Sequence, residues 1–130
     1  MVFSFLKKNK TAALVTVMPD QGAWCDLGQG AHYRQLHCDV GSESGNLRLL
    51  PGGQVTLRTV PAETEILLIE GALTLAEETY RAGDFCVLPA VQGTWVFEST
   101  QGALCFLRRD ALALSPCSTL NSFEDSLSAV

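Results

Sequence analysis

From Pro51 to Pro89 the chain breaks into short apolar or alternating runs set apart by residues that turn the backbone. The runs are Val55–Val60, Glu65–Glu70 and Phe85–Leu88. The punctuation is Pro51-Gly52-Gly53, Pro61-Ala62, Gly71 and Ala82-Gly83-Asp84. The same rhythm extends in both directions. Ala12–Met18 reads as a strand ended by Pro19-Asp20-Gln21-Gly22, and His32–Cys38 as a strand bracketed by Gly30 and the Asp39–Ser42 cluster. Gly45–Leu50 is another. Ala72–Leu75 opens a hairpin with Glu77-Glu78 at its tip and Tyr80 on the return, followed by Asp84–Leu88, Gly93–Glu98 and Ala103–Arg108. Trp24, Cys25 and Leu27 lie between turns and form an irregular segment or short strand. With no strand–helix–strand alternation, the pattern predicts an antiparallel all-β domain.

Alternation also assigns faces. Thr56, Arg58 and Val60 share one face of their strand, and Val55, Leu57 and Thr59 the other. Glu65–Glu70 is nearly continuous aliphatic, which predicts burial on both sides. In His32–Cys38 an unbroken strand points the two histidines to opposite faces. That disfavours a paired-histidine metal site on this strand, and each histidine reads as a surface or hydrogen-bonded residue. After Arg109, ALALSPCSTL is rich in breakers, and Asn121–Val130 predicts a short C-terminal helix. Asn121 and Glu124 have capping-box spacing, and Phe123 and Leu127 share a helical face able to dock on the rest. The 130 residues read as one domain, with its core over 12–109 and a linker and helix over 110–130.

The order Pro51-Gly52, a strand, Glu65-Ile66-Leu67-Leu68-Ile69-Glu70-Gly71, Tyr80-Arg81-Ala82-Gly83-Asp84, a strand and Pro89 resembles the two motifs of the cupin superfamily. It is most similar to the cupin domain of zinc-binding anti-sigma factors, from Leu47 to Arg108. The resemblance implies a cupin-type β-barrel, a double-stranded β-helix of the RmlC-like jelly-roll kind. It also implies a metal site of three histidines and a glutamate, whose positions here are Arg58, Val60, Thr64 and Thr94. None of these is a good metal donor, and Arg58 brings a fixed positive charge instead. The resemblance therefore implies a retained scaffold with a degenerate site, holding no metal and no cofactor. Another metal site would need His37, Cys86, Glu98 or Glu65 to converge, and Glu65 reaches the cavity only through a one-residue shift of register.

Composition narrows the function. The chain is 47% hydrophobic and 18% charged, which favours a folded core over disorder. Nine Lys plus Arg against fourteen Asp plus Glu give a net charge of -5, which disfavours the phosphate-neutralising surface that nucleic acids require. Five cysteines, an odd number without C-x-x-C spacing, read as reduced thiols in a cytoplasmic protein, with Cys86 and Cys105 acting as small hydrophobes. No apolar run reaches membrane-spanning length. Lys7, Lys8 and Lys10 precede Ala12–Met18 without a cleavage site, so no secretory leader is expected.

Binding without a metal is the reading that remains. The resemblance makes the face of Thr56, Arg58 and Val60 the cavity face, joined by Thr64, Thr94 and Glu98. The candidate ligand-binding residues are thus Thr56, Arg58, Thr64, Thr94 and Glu98, and no catalytic residue is assigned. An inward Arg58 needs a partner, with Glu98 the choice by parity; otherwise its guanidinium takes a ligand's carboxylate or phosphate. The function read is a metal-independent cupin-like domain that binds a small metabolite, anionic where Arg58 contacts it. Two alternatives stand beside it. One is an enzyme, either a metal-free isomerase or phosphorylase or an oxygenase with atypical ligands; the other is a structural or regulatory dimerising domain. A Cys–His nucleophile has no local signature here. Ala12–Met18, apolar on both faces at the chain's outer end, predicts a homodimer.

Overall fold

The computed structural model describes residues 14, 16, 23–38, 41–59, 63–91, 93–110 and 119–124. Their strands are β1 (Cys25–Gly28), β2 (Ala31–Cys38), β3 (Glu43–Leu49), β4 (Gly53–Thr59), β5 (Thr64–Leu75), β6 (Glu78–Arg81), β7 (Phe85–Leu88), β8 (Gly93–Ser99), β9 (Ala103–Arg109) and β10 (Phe123–Glu124). One short helix, α1 (Thr119–Ser122), leads directly into β10. Every pairing is antiparallel, in the order β1-β2-β3-β9-β5-β8-β4-β10, with β6 and β7 added alongside β5. The result is the nearly closed antiparallel β-barrel that the sequence implied.

Strand β5 joins the two sides of the barrel. Its first residues pair with β7 and β9, and its last with β6 and β8. The change falls at Gly71, whose φ is +81° and where a Cβ would strike the Gly102 carbonyl. Only glycine suits that combination. The expected turn at Gly71 is therefore a crossing within one 12-residue strand. Nor is this strand buried on both faces: Ile66 and Leu68 are inside, whereas Leu67 is 38% and Ile69 42% exposed.

The interior follows from period-2 alternation. Leu47 and Leu49 of β3, Val55 and Leu57 of β4, Phe97 of β8, and Cys105 and Leu107 of β9 all point inward and are almost fully buried. Each large aliphatic or aromatic side chain so buried contributes about 1.5–3 kcal/mol. Burial also pushes the Cys105 thiol up to about 12.

Local corrections have local causes. In β2 the register against β3 shifts between Gln35 and His37, so His32 lies opposite Arg48 and His37 opposite Ser44. The bulge adds a residue and turns both histidines to the outward face. Among the described residues the expected helix differs at its start: Asn121 lies within α1, and Phe123 already belongs to β10. Phe123 does dock, 7% exposed, with its ring 5.2 Å from that of Tyr33. Leu127 lies outside the described residues, as does Ala12–Met18 apart from Leu14 and Thr16, neither of them in a strand. Cys25, Cys86 and Cys105 are free thiols, but Cys38 is disulfide-bonded, which corrects the expectation of reduced cysteines throughout. Among the described residues no helix is long and apolar enough to cross a membrane.

Candidate functional site

The alternation that buries Leu47 and Leu107 continues to the ends of their strands, where the inward residues become Glu43 and Arg109. These two are direct partners across the β3–β9 ladder, and Thr64 of β5 is the partner of Arg109 on its other side. Glu43 is 2% exposed, Arg109 1% and Thr64 0%. Three polar side chains thus stand side by side inside one end of a hydrocarbon-lined barrel.

Their bonds are only partly complete. Arg109 Nε lies 3.9 Å from Glu43 Oε1, an ion pair without a hydrogen bond. The Thr119 hydroxyl donates to Glu43 Oε1, and Arg109 Nη1 donates to Ser122 Oγ at 3.1 Å. Arg109 Nη2 and Thr64 Oγ1 are buried with no hydrogen-bond partner. A buried donor left unmade costs about 1–3 kcal/mol, and more for a charged group. Burial lowers the pKa of Arg109, with Glu43 and then Tyr33 opposing that shift. Tyr33 is pushed far above its ordinary value by burial and by the charge of Glu43, against a hydrogen bond with Thr119 and the charge of Arg109. Its ring lies over Gly45, where any Cβ would collide with it.

The residues singled out from sequence divide between inside and outside. Thr64 is inside. Arg58, Thr94 and Glu98 are exposed and Thr56 half-exposed on the outward face of β4 and β8, where Arg58 pairs with Thr94, and Glu98 with Gln54 and Thr74. The cavity-face assignment is thereby corrected, because Val55, Leu57 and Phe97 hold the inward positions of the same strands. A one-residue difference in register exchanges the faces. Glu98 is not the internal partner of Arg58, and Val60 lies outside the described residues. A buried arginine paired with a carboxylate does exist, but it is Arg109 with Glu43. The signal was available: the alternation Ala103, Cys105, Leu107 extends to Arg109, and Leu47, Gly45 extends back to Glu43.

Two further features are less suited to ligands. Outside β2 and β3, the Trp24 ring carries Arg34 at 4.9 Å and Arg48 at 5.6 Å, and Arg34 also donates to Asn46 Oδ1 at 2.9 Å. At the opposite end of the barrel an open cleft of about 280 Å³ lies between Arg48, Pro51, Glu70 and Gln101, without a buried unpartnered donor among its side chains.

Among the described residues, no three His, Cys, Asp or Glu side chains come together as metal ligands, and His37, Glu65, Cys86 and Glu98 do not converge. The interior cluster does not fit the divalent metal that this fold often holds. It offers one carboxylate, and a guanidinium stands 3.9 Å from that carboxylate where a second cation would be repelled.

Solved structures share this architecture. An RmlC-like cupin from Shewanella frigidimarina superposes with a TM-score of 0.67 at 13% identity, covering 76% of this chain and 91% of that one. The anti-sigma ChrR in complex with SigE from Rhodobacter sphaeroides gives 0.63 at 14% identity, covering 84% and 75%. The polyketide cyclase RemF from Streptomyces resistomycificus gives 0.64 at 15% identity, covering 88% and 86%. No protein-family model and no curated protein matches the chain. The protein has the fold of the cupin superfamily. At these identities the likeness defines the fold, and the enzymes and regulators that share it show how many activities one barrel supports.

Proposed function

We propose that the barrel binds a small metabolite through its interior, without a metal, and that Arg109 and Thr64 are the groups that recognise it. The observation that carries this reading is a buried guanidinium whose Nη2 has no partner, on the strand next to a buried threonine hydroxyl that also has none. Unmade buried bonds are rare in folded proteins and mark positions where a further group, an ordered water or a ligand, is accommodated. A carboxylate accepts from guanidinium nitrogens through paired hydrogen bonds, so an anionic group is the natural contact. The role foreseen for Arg58 passes to Arg109. Arg58, Thr56, Thr94 and Glu98 form an outward set that a ligand would reach only from outside the barrel.

A homodimer belongs to the same reading. Leu67 and Phe85 are partners on β5 and β7, exposed by 38% and 57%, with Ile69 and Val87 beside them at 42% and 43%. The Glu65–Arg108 pair, 3.7 Å apart, borders this apolar face with both signs of charge, which a two-fold copy can complement. Three free thiols fit a cytoplasmic protein, while the disulfide of Cys38 weighs the other way.

Thermal-shift measurement with acetate, glycolate and inorganic phosphate tests the reading. A ligand at about one hundred times its Kd adds about 2.7 kcal/mol to stability. A shift that falls to about half in Thr64→Val, as a tenfold loss of affinity requires, supports the interior site. A shift lost on Arg58→Ala but undiminished in Thr64→Val moves the site outside, and no shift with any of the three supports a purely structural barrel.

A further inference from the structure

Thr119 and Ser122 make the contacts inside the barrel that a ligand would make. The Thr119 hydroxyl donates to Glu43, and Ser122 Oγ accepts from Arg109 Nη1. Both residues are buried, 4% and 5% exposed, and Phe123 beside them closes over Tyr33. Among the described residues the insert is a four-residue helix and a two-residue strand, whose pairing with β4 joins Phe123 to Leu57 and Glu124 to Thr56. One helical turn has no stability of its own, so the groups it touches hold it in place. While it is there, Arg109 and Thr64 have essentially no exposed surface.

We infer that Thr119–Phe123 is an intramolecular competitor for the interior site, and that its hydroxyls mark the chemistry of the ligand: a small acid carrying a hydroxyl next to its carboxylate. The inference rests on the proposed interior site. The ligand hydroxyl donates to Glu43 as Thr119 does now. The carboxylate accepts from Arg109 Nη1, which Ser122 releases, and from Nη2, which Ser122 leaves unused, with Thr64 Oγ1 donating to the same group. Charge favours a monoanion. Against Arg109 and Glu43 a carboxylate leaves one surplus negative charge, whereas a phosphate dianion leaves two in a medium that solvates charge poorly.

The test uses the full chain with glycolate as probe, and acetate and inorganic phosphate beside it. Calorimetry reads affinity, and amide hydrogen exchange over residues 119–124 and β4 reads the insert. Glycolate should bind, raise exchange in both segments, and outbind acetate by about tenfold, the value of one hydrogen bond to a charged group. Replacing both hydroxyls with Thr119→Ala and Ser122→Ala should tighten glycolate by about tenfold for the same reason. Glycolate binding with exchange of the insert unchanged would overturn the competition and leave the site standing. Phosphate binding tighter than glycolate would overturn the ligand class. Failure of all three probes to bind either chain would overturn the site as well. Should the double variant unfold, the exchange comparison on the unaltered chain decides by itself.

Discussion

Glu43 and Arg109 face each other across the β3–β9 ladder and both point into the barrel, with Oε1 and Nε 3.9 Å apart and each residue less than 3% exposed. Removing one charge strands the other in the interior. Glu43→Gln, which keeps the shape and the acceptor for Thr119, should cost about 3–5 kcal/mol of unfolding free energy in urea. Combining it with Arg109→Met should recover much of that loss, because no unpaired charge remains. Equal and additive losses in the double-mutant cycle would show that the pair is not coupled.

Thr64→Val is expected to act in the opposite direction. It replaces a buried hydroxyl that has no partner by a methyl group of nearly the same size. The unliganded protein should gain about 1–3 kcal/mol, read as a higher midpoint of urea unfolding. A loss of stability would mean that the hydroxyl is bonded in solution.

The β5–β6 hairpin turns through Ala76 and Glu77, both left-handed, with φ of 52° and 67°. A two-residue loop with both centres at positive φ is the arrangement that Asn-Gly fits best. Ala76→Asn with Glu77→Gly should therefore raise stability by about 1 kcal/mol, without altering any interior contact. A lower melting temperature would contradict the turn geometry.

Alkaline pH should weaken the fold through Cys105 and Tyr33. Both are neutral in the folded and unfolded states below pH about 9, and their stabilisation is then complete. Burial raises the Cys105 thiol from 9.0 to about 12 and raises the Tyr33 hydroxyl above its usual 10.0. The unfolded chain therefore releases these protons first, and stability falls as pH climbs from about 9 towards 12, by up to about 1.4 kcal/mol per pH unit for each group. Urea midpoints at pH 8 and pH 10.5 check this, and Cys105→Ala should flatten part of the decline.

Light scattering should report a dimer that Phe85→Glu converts to a monomer with its melting temperature little changed, since Phe85 is 57% exposed in the single chain. A monomer at micromolar concentration before mutation would remove the dimer from the reading.

The barrel was legible because its strands are short, alternating and bounded by Gly and Pro, and those signals are local. The order Val55–Thr59 and Gly93–Glu98 gave the strands but not their faces. Alternation fixes which residues share a side, whereas the membership of Leu57 in the buried core, beside Phe123 whose ring meets Tyr33, fixes which side is inside. The resemblance assigns the motif positions, Arg58 among them, to the cavity face, and nothing local in the sequence opposes that. Glu43 was hidden for another reason: it adjoins a Gly-Ser cluster that reads as a turn. Arg109 borders a breaker-rich stretch, so the local sequence marks it as the end of a strand and not as an inward position. The positions of Thr119 and Ser122 against Glu43 and Arg109 join residues 76 and 13 apart in sequence, and no local pattern encodes them.

Titration of glycolate into the unaltered chain and into Thr64→Val, followed by calorimetry, tests the central claim most directly. The interior site predicts binding to the unaltered chain and about tenfold weaker binding to Thr64→Val, the value of one hydrogen bond to a charged group, although the variant is the more stable protein. Equal affinity for the two chains, or no binding to either, would contradict it.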